Sequence, residues 1–394
     1  MNPTSAYLGL TEKLYENNEN GYIFEFDARV IDSFAYKEGF AAILDRTAFF
    51  PEGGGQSADE GELDGEAVTD VRIKDGKILH LMNVPLEAGK AVRGKINADL
   101  RFARMQNHSG EHIVSGLLHS LYGIENVGFH MSRGEMTIDT SEPLTDEMIK
   151  NIELLANRAV WANKEIKCFY PDAETLKKMT YRSKIELSGD VRIVEVDGVD
   201  KCACCAPHVR RTGEIGSIHI KSSIKYKKGA RLVIVCGEWA MRDHSALTDT
   251  AAKLSRALSA PAEEIYEAFM KKEELLSEKL GEMRVLKERL LSLRLSSLSY
   301  TDESICIFED GCDSGLLRKL VNDGLHLTGK LFAAFSARDV GGYAYVVGTK
   351  EGDLAPLAKD ISVSLGGRGG GKGPMITGYV ESDEEKIREF FEKI

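Results

Sequence analysis

The sequence predicts an α+β protein in four parts: a small N-terminal β-barrel over 1–97, a central α+β domain over 98–237, a helical coiled-coil arm over 238–300, and a C-terminal α/β domain with a glycine-rich loop over 301–394. Three observations predict it. Short alternating runs broken by turns fill Gly21 to Ala98, and helical and strand-like runs then mix as far as Gly237. Beyond Glu238 a charged helical stretch with sevenfold apolar spacing leads into a last segment in which strands and helices alternate.

At 394 residues the chain is longer than one ordinary core, and 43% hydrophobic with 29% charged residues is a globular composition. No apolar run nears the roughly 18 residues of a membrane span. Met1 to Tyr15 lacks the basic-then-apolar order of a signal peptide, so no membrane contact and a cytoplasmic address are expected. Of seven cysteines, at 168, 202, 204, 205, 236, 306 and 312, three crowd together, which suits a metal or thiol site in a reducing compartment. A net charge of −11 excludes non-specific coating of nucleic acid and confines any RNA contact to local patches.

In the first part, Tyr22, Phe24 and Phe26 alternate with Ile23, Glu25 and Asp27. Strands are expected at Tyr22 to Val30, Gly39 to Asp45, Val68 to Ile73 and Ile78 to Leu81, with Asp75-Gly76 as a hairpin turn between the last two. The central loop carries Gly53, Gly54 and Gly55, followed by Gln56. Three glycines remove the side chains that would keep another molecule at a distance, and they permit φ > 0. A plain surface turn is the alternative, but flanking Phe49, Phe50 and Pro51 are bulky for a flexible linker.

The central part contains Gln106-Asn107-His108-Ser109-Gly110-Glu111-His112. In a helix from Arg101 to Tyr122, His108 and His112 leave one face a turn apart, as two ligands of one metal ion do, the alternative being a histidine pair packed at the edge of a core. A second helix is expected at Thr145 to Asn163, with strands at Glu165 to Tyr170, Val191 to Val196, Ile215 to Ile220 and Leu232 to Cys236. Cys204 and His208 also stand four apart and form a soft, zinc-compatible pair, with Cys202 and Cys205 as neighbouring alternatives. The spacing of His108, Glu111 and His112 fits the H-x-x-E-H zinc peptidases as well, a reading that makes Glu111 the base and leaves Cys204 and His208 without a role.

Residues 201–231 hold eight basic side chains against one acid, Glu214; the basics are Lys201, Arg210, Arg211, Lys221, Lys225, Lys227, Lys228 and Arg231. In so acidic a chain this marks an edge for phosphates, the alternative being a solvated basic face. Phe269, Leu276, Met283 and Leu290 recur every seven residues, with Leu280, Leu286 and Leu293 between them, and predict the arm; the alternative is an amphipathic helix packed on its own domain. Residues 366–372 fit the start of a P-loop, but Gly373 occupies the Ser/Thr position and Pro374 precedes a strand-like run, so no nucleotide cofactor is expected. Arg368 and Lys372 in this loop can instead lie against an RNA backbone, the alternative from composition being a disordered loop.

Three separated motifs, FFPEGGGQSADEG, HSGEH, and CCAPH followed by VRRTGEIG, together resemble the editing domain of alanyl-tRNA synthetases and the related AlaX proteins. The arm and the GGRGGGKGP tail resemble the DHH-associated C-terminal domain of long-form AlaX. The resemblance implies Zn2+ held by His108, His112, Cys204 and His208, with Thr47 and Gln56 around the amino acid. Glu111 is a candidate general base, although its side chain is expected on a different helix face. The implied activity is hydrolysis of tRNA(Ala) mischarged with serine or glycine, in trans and without aminoacylation, since nothing before Gly21 would hold an ATP-dependent charging domain. The arm and the C-terminal domain are candidate homodimer interfaces. A tRNA-binding protein with a structural zinc is a rival, as is the serine-removing domain of threonyl-tRNA synthetases, against which the glycine-rich tail speaks. Two departures stand out: Phe50 replaces the more usual Tyr, and Cys205-Ala206-Pro207 stands where Gly-Gly-Thr is common.

Overall fold

Six strands close into an antiparallel barrel in the order Glu25–Tyr36, Gly39–Leu44, Lys77–Met82, Glu66–Lys74, Gly61–Leu63 and Ala91–Ile96. This is a computed structural model, and it describes residues 11–16, 20–183 and 191–394. Phe26, Ala28 and Val30 point inward from the first strand and meet Leu44, Phe49, Leu63, Val71 and Val92 in the barrel core. Asp75 and Gly76 both have positive φ, 49° and 74°, and close the predicted two-residue hairpin.

Two barrel strands, Gly61–Leu63 and Ala91–Ile96, are absent from the sequence reading. The first has three residues. In the second, Gly94 interrupts the inward apolar series because the Phe26 ring fills its place, lying 2.4 Å from where a Cβ would stand.

The barrel feeds directly into the helix Ala98–Tyr122, which starts three residues earlier than expected. The Asn97 side chain accepts from the Leu100 N–H at the N-cap, and Gly123, at φ 65°, ends the helix in the left-handed region. Buried Arg101 ties helix to barrel: its guanidinium binds Asp59 and the Ala48 carbonyl, and Asp59 also accepts from Phe50 N at 2.6 Å.

The helix packs with Asp146–Trp161 against a four-stranded antiparallel sheet ordered Ile218–Tyr226, Gly229–Cys236, Met136–Thr140, Asn126–Met131. Ile113, Val114 and Leu118 meet Ile152, Ala156, Ile138, Leu232 and Ile234 in that core. A separate three-stranded antiparallel sheet, Ile166–Phe169, Ile193–Val196 and Asp200–Ala203, delivers the cysteine-rich segment.

Chain contacts divide the molecule into Met1–Lys253 and Leu254–Ile394. In the second unit a five-stranded sheet is ordered Ile305–Phe308, Leu331–Ala337, Tyr343–Thr349, Met375–Val380, Arg368–Gly370, with helices at Ser314–Gly324, Ala355–Leu365 and Glu384–Glu392. The first part of the predicted glycine-rich loop is thus an edge strand. Gly369 and Gly378 permit it: Cβ atoms there would fall 1.9 and 2.9 Å from the Tyr345 hydroxyl. The helix Ile265–Ser296 buries Leu291 and Leu295 against Leu316, Leu317 and Leu320. Its sevenfold positions Phe269, Leu276, Met283 and Leu290 are exposed, contrary to a helix packed on its own domain along its length. Among the described residues no helix is long and apolar enough to cross a membrane.

Candidate metal centre

His108 and His112 project from one face of the helix Ala98–Tyr122, and the chain leaving the strand Asp200–Ala203 brings Cys204 and His208 to them. One donor atom from each of the four lies within 4.8 Å of the others, and all but half-buried Cys204 are buried. Cys204 Sγ stands 3.5 Å from His108 Nε2 and 3.4 Å from His208 Nε2. A tetrahedral ion with bonds of about 2.05 Å to nitrogen and 2.3 Å to sulfur needs S···N separations of about 3.5 Å. The donor set therefore fits zinc in both chemistry and spacing.

Each imidazole has its Nδ1 occupied elsewhere, so the Nε2 lone pairs are what converge. His108 Nδ1 donates to Gln56 Oε1 at 2.7 Å, His112 Nδ1 to Asp200 Oδ2 at 2.9 Å, and His208 Nδ1 to Ser109 Oγ at 3.1 Å. Such outer partners fix tautomer and ring plane. Burial pushes the Cys204 thiol well up and the His208 imidazole well down, the latter with help from the other two histidines. At Asp200 burial works to raise the carboxyl, yet hydrogen bonds from His112 and Arg182 hold it below its ordinary range.

The rest of the helix motif serves close packing. Gln106 donates to Glu214 O at 2.8 Å, and Asn107 accepts from Cys236 N at 2.8 Å, pinning the helix to the end of the sheet. Gly116 lets the helix approach the other half-site, since a Cβ there would lie 2.7 Å from Asp200 Cβ and from the Val199 carbonyl.

The glycine loop is a tight turn. Gly53 and Gln56 exchange both backbone hydrogen bonds, at 3.1 and 3.0 Å, while Gly54 and Gly55 have φ of 60° and 86°, as a type I′ turn requires. Gly55 O accepts from Met131 N at 2.8 Å, and a Cβ on Gly55 would meet the Phe129 carbonyl at 2.5 Å. The turn thus docks on the strand Asn126–Met131, and the Phe129 ring lies 4.9 Å from that of His108. Phe50 packs with Tyr15, Ala206 and Cys204. Cys205 is exposed, and a Cβ on Gly54 would lie 3.9 Å from its sulfur.

Two further predicted residues are buried. Glu111 does not turn away: it is buried, Ser115 Oγ donates to its Oε1 at 2.7 Å, Asn126 binds the same oxygen, and Oε2 stands 3.9 Å from His112 Nε2. Its long side chain reaches along the helix to Ser115, four residues on, which spacing alone does not convey. Thr47 is fully buried, its hydroxyl 2.8 Å from His80 Nε2 and accepting from Phe49 N at 3.1 Å. Because His80 Nδ1 faces the Ala42 carbonyl at 3.0 Å, it carries the hydrogen, and Thr47 must donate to Nε2.

The basic run is less uniform than its sequence. Lys201, Lys221 and Arg231 pair with Glu195, Asp243 and Asp139 at 2.9, 2.9 and 2.6 Å. Arg211 donates to the Asn163 carbonyl, and exposed Arg210 stacks 4.2 Å over the Tyr22 ring. Lys225, Lys227 and Lys228 are exposed at the tip of the hairpin joining Ile218–Tyr226 to Gly229–Cys236. In the second unit Arg368 and Lys372 are exposed on and beside the edge strand.

Comparison with known proteins accounts for these segments. The threonyl and alanyl tRNA synthetase second additional domain matches residues 191–233, and the class II (A) tRNA synthetases match residues 9–100. An alanyl-tRNA editing protein, AlaX-L of Pyrococcus horikoshii, is 26% identical over 96% of both chains. The resemblance to the alanyl-tRNA synthetase editing family holds. An alanine–tRNA ligase of Ignicoccus hospitalis is 30% identical over 98% of this chain and 43% of its own, and one of Methanococcus vannielii is 28% identical over 93% and 42%. This chain therefore spans about two fifths of the length of those ligases. The C-Ala domain of Aquifex aeolicus alanyl-tRNA synthetase overlays 24% of this chain and 91% of its own, at 15% identity and a TM-score of 0.20. Of the family's motifs, HSGEH and CCAPH contribute the four clustered donors, and the GGGQ turn supplies an outer partner to one of them.

Proposed function

We propose that this protein is an aminoacyl-tRNA deacylase that removes serine, and glycine, from mischarged tRNA(Ala) made elsewhere in the cytoplasm. The observation that carries the reading is the convergence of His108, His112, His208 and Cys204 beside a glycine turn. The match with AlaX-L over nearly all of both chains supports action in trans.

Zinc held by these four residues would polarise the ester carbonyl or a water, or hold the substrate's α-amino group. Glu111, with Oε2 3.9 Å from His112 Nε2, would accept the proton of the attacking water. Thr47 reads the amino acid: with its own proton committed to His80, its remaining lone pair would accept from a seryl hydroxyl, and an alanyl methyl offers nothing. Gly53, Gly54 and Gly55 admit the substrate backbone closely, and Gln56 holds His108. Lys225, Lys227, Lys228 and Arg210 would contact phosphates of the acceptor arm, Arg368 and Lys372 those of a further segment, and the exposed sevenfold seam of Ile265–Ser296 would pair two copies.

One observation favours a second reading. Four protein donors are the pattern of a closed structural site, so the protein could bind tRNA without turning it over. The peptidase reading is weaker, because a thiol and an imidazole complete the cluster. Incubation with seryl-tRNA(Ala), alanyl-tRNA(Ala), seryl-tRNA(Thr) and an unstructured peptide separates all of these. Faster release of serine than of alanine from tRNA(Ala) is expected. Binding without release would leave the structural reading, and cleavage of the peptide alone would replace the proposal with the peptidase.

A further inference from the structure

His112, Asp200 and Cys202 also bring three potential donors within 4.8 Å of one another, all buried, beside the four already described. Taken by itself that triad resembles a second metal site sharing His112. The surroundings of Asp200 argue otherwise. Arg182 holds the carboxylate with two prongs, Nε to Oδ1 at 2.7 Å and Nη2 to Oδ2 at 2.9 Å, and Oδ2 also receives the His112 Nδ1 hydrogen at 2.9 Å. A metal ion bound to Asp200 would sit against a guanidinium that cannot give up its charge, and would compete for an imidazole nitrogen that already carries hydrogen.

Arg182 is fixed at this place. Its backbone N–H donates to Lys201 O at 2.8 Å and its carbonyl accepts from Ala203 N at 2.9 Å, so it lies alongside the strand that carries Asp200. On the other side, only the missing side chain of Gly116 lets the helix come close enough for His112 to reach the carboxylate.

We infer that Arg182 and Asp200 are a positioning pair for the ligand His112, with the guanidinium standing where a second cation would otherwise be. The inference rests on the metal centre proposed above. The pair sets the plane of the His112 ring and aims Nε2 at the common point, so its loss should loosen the bound ion with no change in which residues ligate.

The test is made on the full chain without tRNA. Bound zinc is counted, its affinity is measured against a chromophoric chelator, and the visible spectrum of the cobalt-loaded protein is recorded for the parent, Asp200→Asn, Arg182→Ala and Arg182→Lys. One ion per chain is expected in the parent. Asp200→Asn should weaken it by about 10- to 100-fold and shift the cobalt bands, compared at a temperature where the melting curve of each metal-free chain shows it folded. Arg182→Ala should show a smaller loss that Arg182→Lys partly restores. If Asp200→Asn does not fold, the two arginine variants carry the comparison. Two ions in the parent, or variants with parental affinity and spectra, would overturn the pair and leave the deacylase reading intact. No ion in the parent would remove both the pair's role and the centre on which that reading stands.

Discussion

Gln56 Oε1, in the glycine turn of the barrel, accepts the Nδ1 hydrogen of His108 at 2.7 Å. The bond ties the turn to one of the four clustered donors. Gln56→Met keeps the bulk and removes the acceptor, and should weaken zinc by about tenfold and slow deacylation with it. A chelator titration that returns the parental value would leave the turn with no part in orienting His108.

Uptake of the ion should depend on pH in a defined direction. Burial pushes the Cys204 thiol well above its ordinary range, so without metal the sulfur is protonated, and binding must release that proton. Apparent affinity is expected to climb as pH rises through neutrality, and Cys204→Ser should weaken binding and flatten the climb. Competition titrations at several pH values provide the check, and a flat profile in the parent would take Cys204 out of the ligand set.

The barrel carries its own acid sensitivity at His80, whose imidazole burial lowers from 6.5 to about 4. The unfolded chain takes up a proton near pH 6.5 and the folded chain resists it down to about pH 4, so stability is lost as pH falls through that window, by roughly 3 kcal/mol at most. Denaturant midpoints across the window should fall for the parent and fall less for His80→Gln. Parallel curves would assign the acid loss to other groups.

Serine selection by Thr47 is tested with Thr47→Val, which keeps the shape and removes the hydroxyl. The seryl-to-alanyl rate ratio should drop by 10-fold or more if the hydroxyl senses serine. An unchanged ratio would place Thr47 in the barrel core alone, bound to His80.

Neutralising Lys225, Lys227 and Lys228 together should weaken tRNA binding and reduce its salt dependence by about two to three units of log–log slope. Binding isotherms at several salt concentrations read this directly. The same treatment of Lys201, Lys221 and Arg231 should change the slope little, because each already faces a carboxylate.

Much of the centre was legible in the sequence because helical spacing is a strong signal: His108 and His112, four apart, had to share a face. Cys204 and His208 were legible through their own spacing and the crowding of cysteines. Asp200 was not, since a carboxylate on a strand carries no period that points at a distant histidine; its one clue was its place two residues before Cys202. Gly116 was equally silent, because a glycine inside a helical run reads as a weak point until the packed neighbour is known. The strand Ala91–Ile96 escaped for a related reason, its apolar alternation being completed at Gly94 by the ring of Phe26. Glu111 was expected to leave on another helix face, and its carboxylate stands 3.9 Å from His112 Nε2.

The three imidazoles of the centre take their outer bonds from a barrel turn, a sheet strand and the helix itself. A nascent copy whose barrel has not yet docked leaves His108 able to swivel, and would yield its ion readily to any competing thiol. If the four donors hold zinc, its retention through dialysis would mark a fully assembled molecule and sort mature copies from half-made ones before any activity is measured.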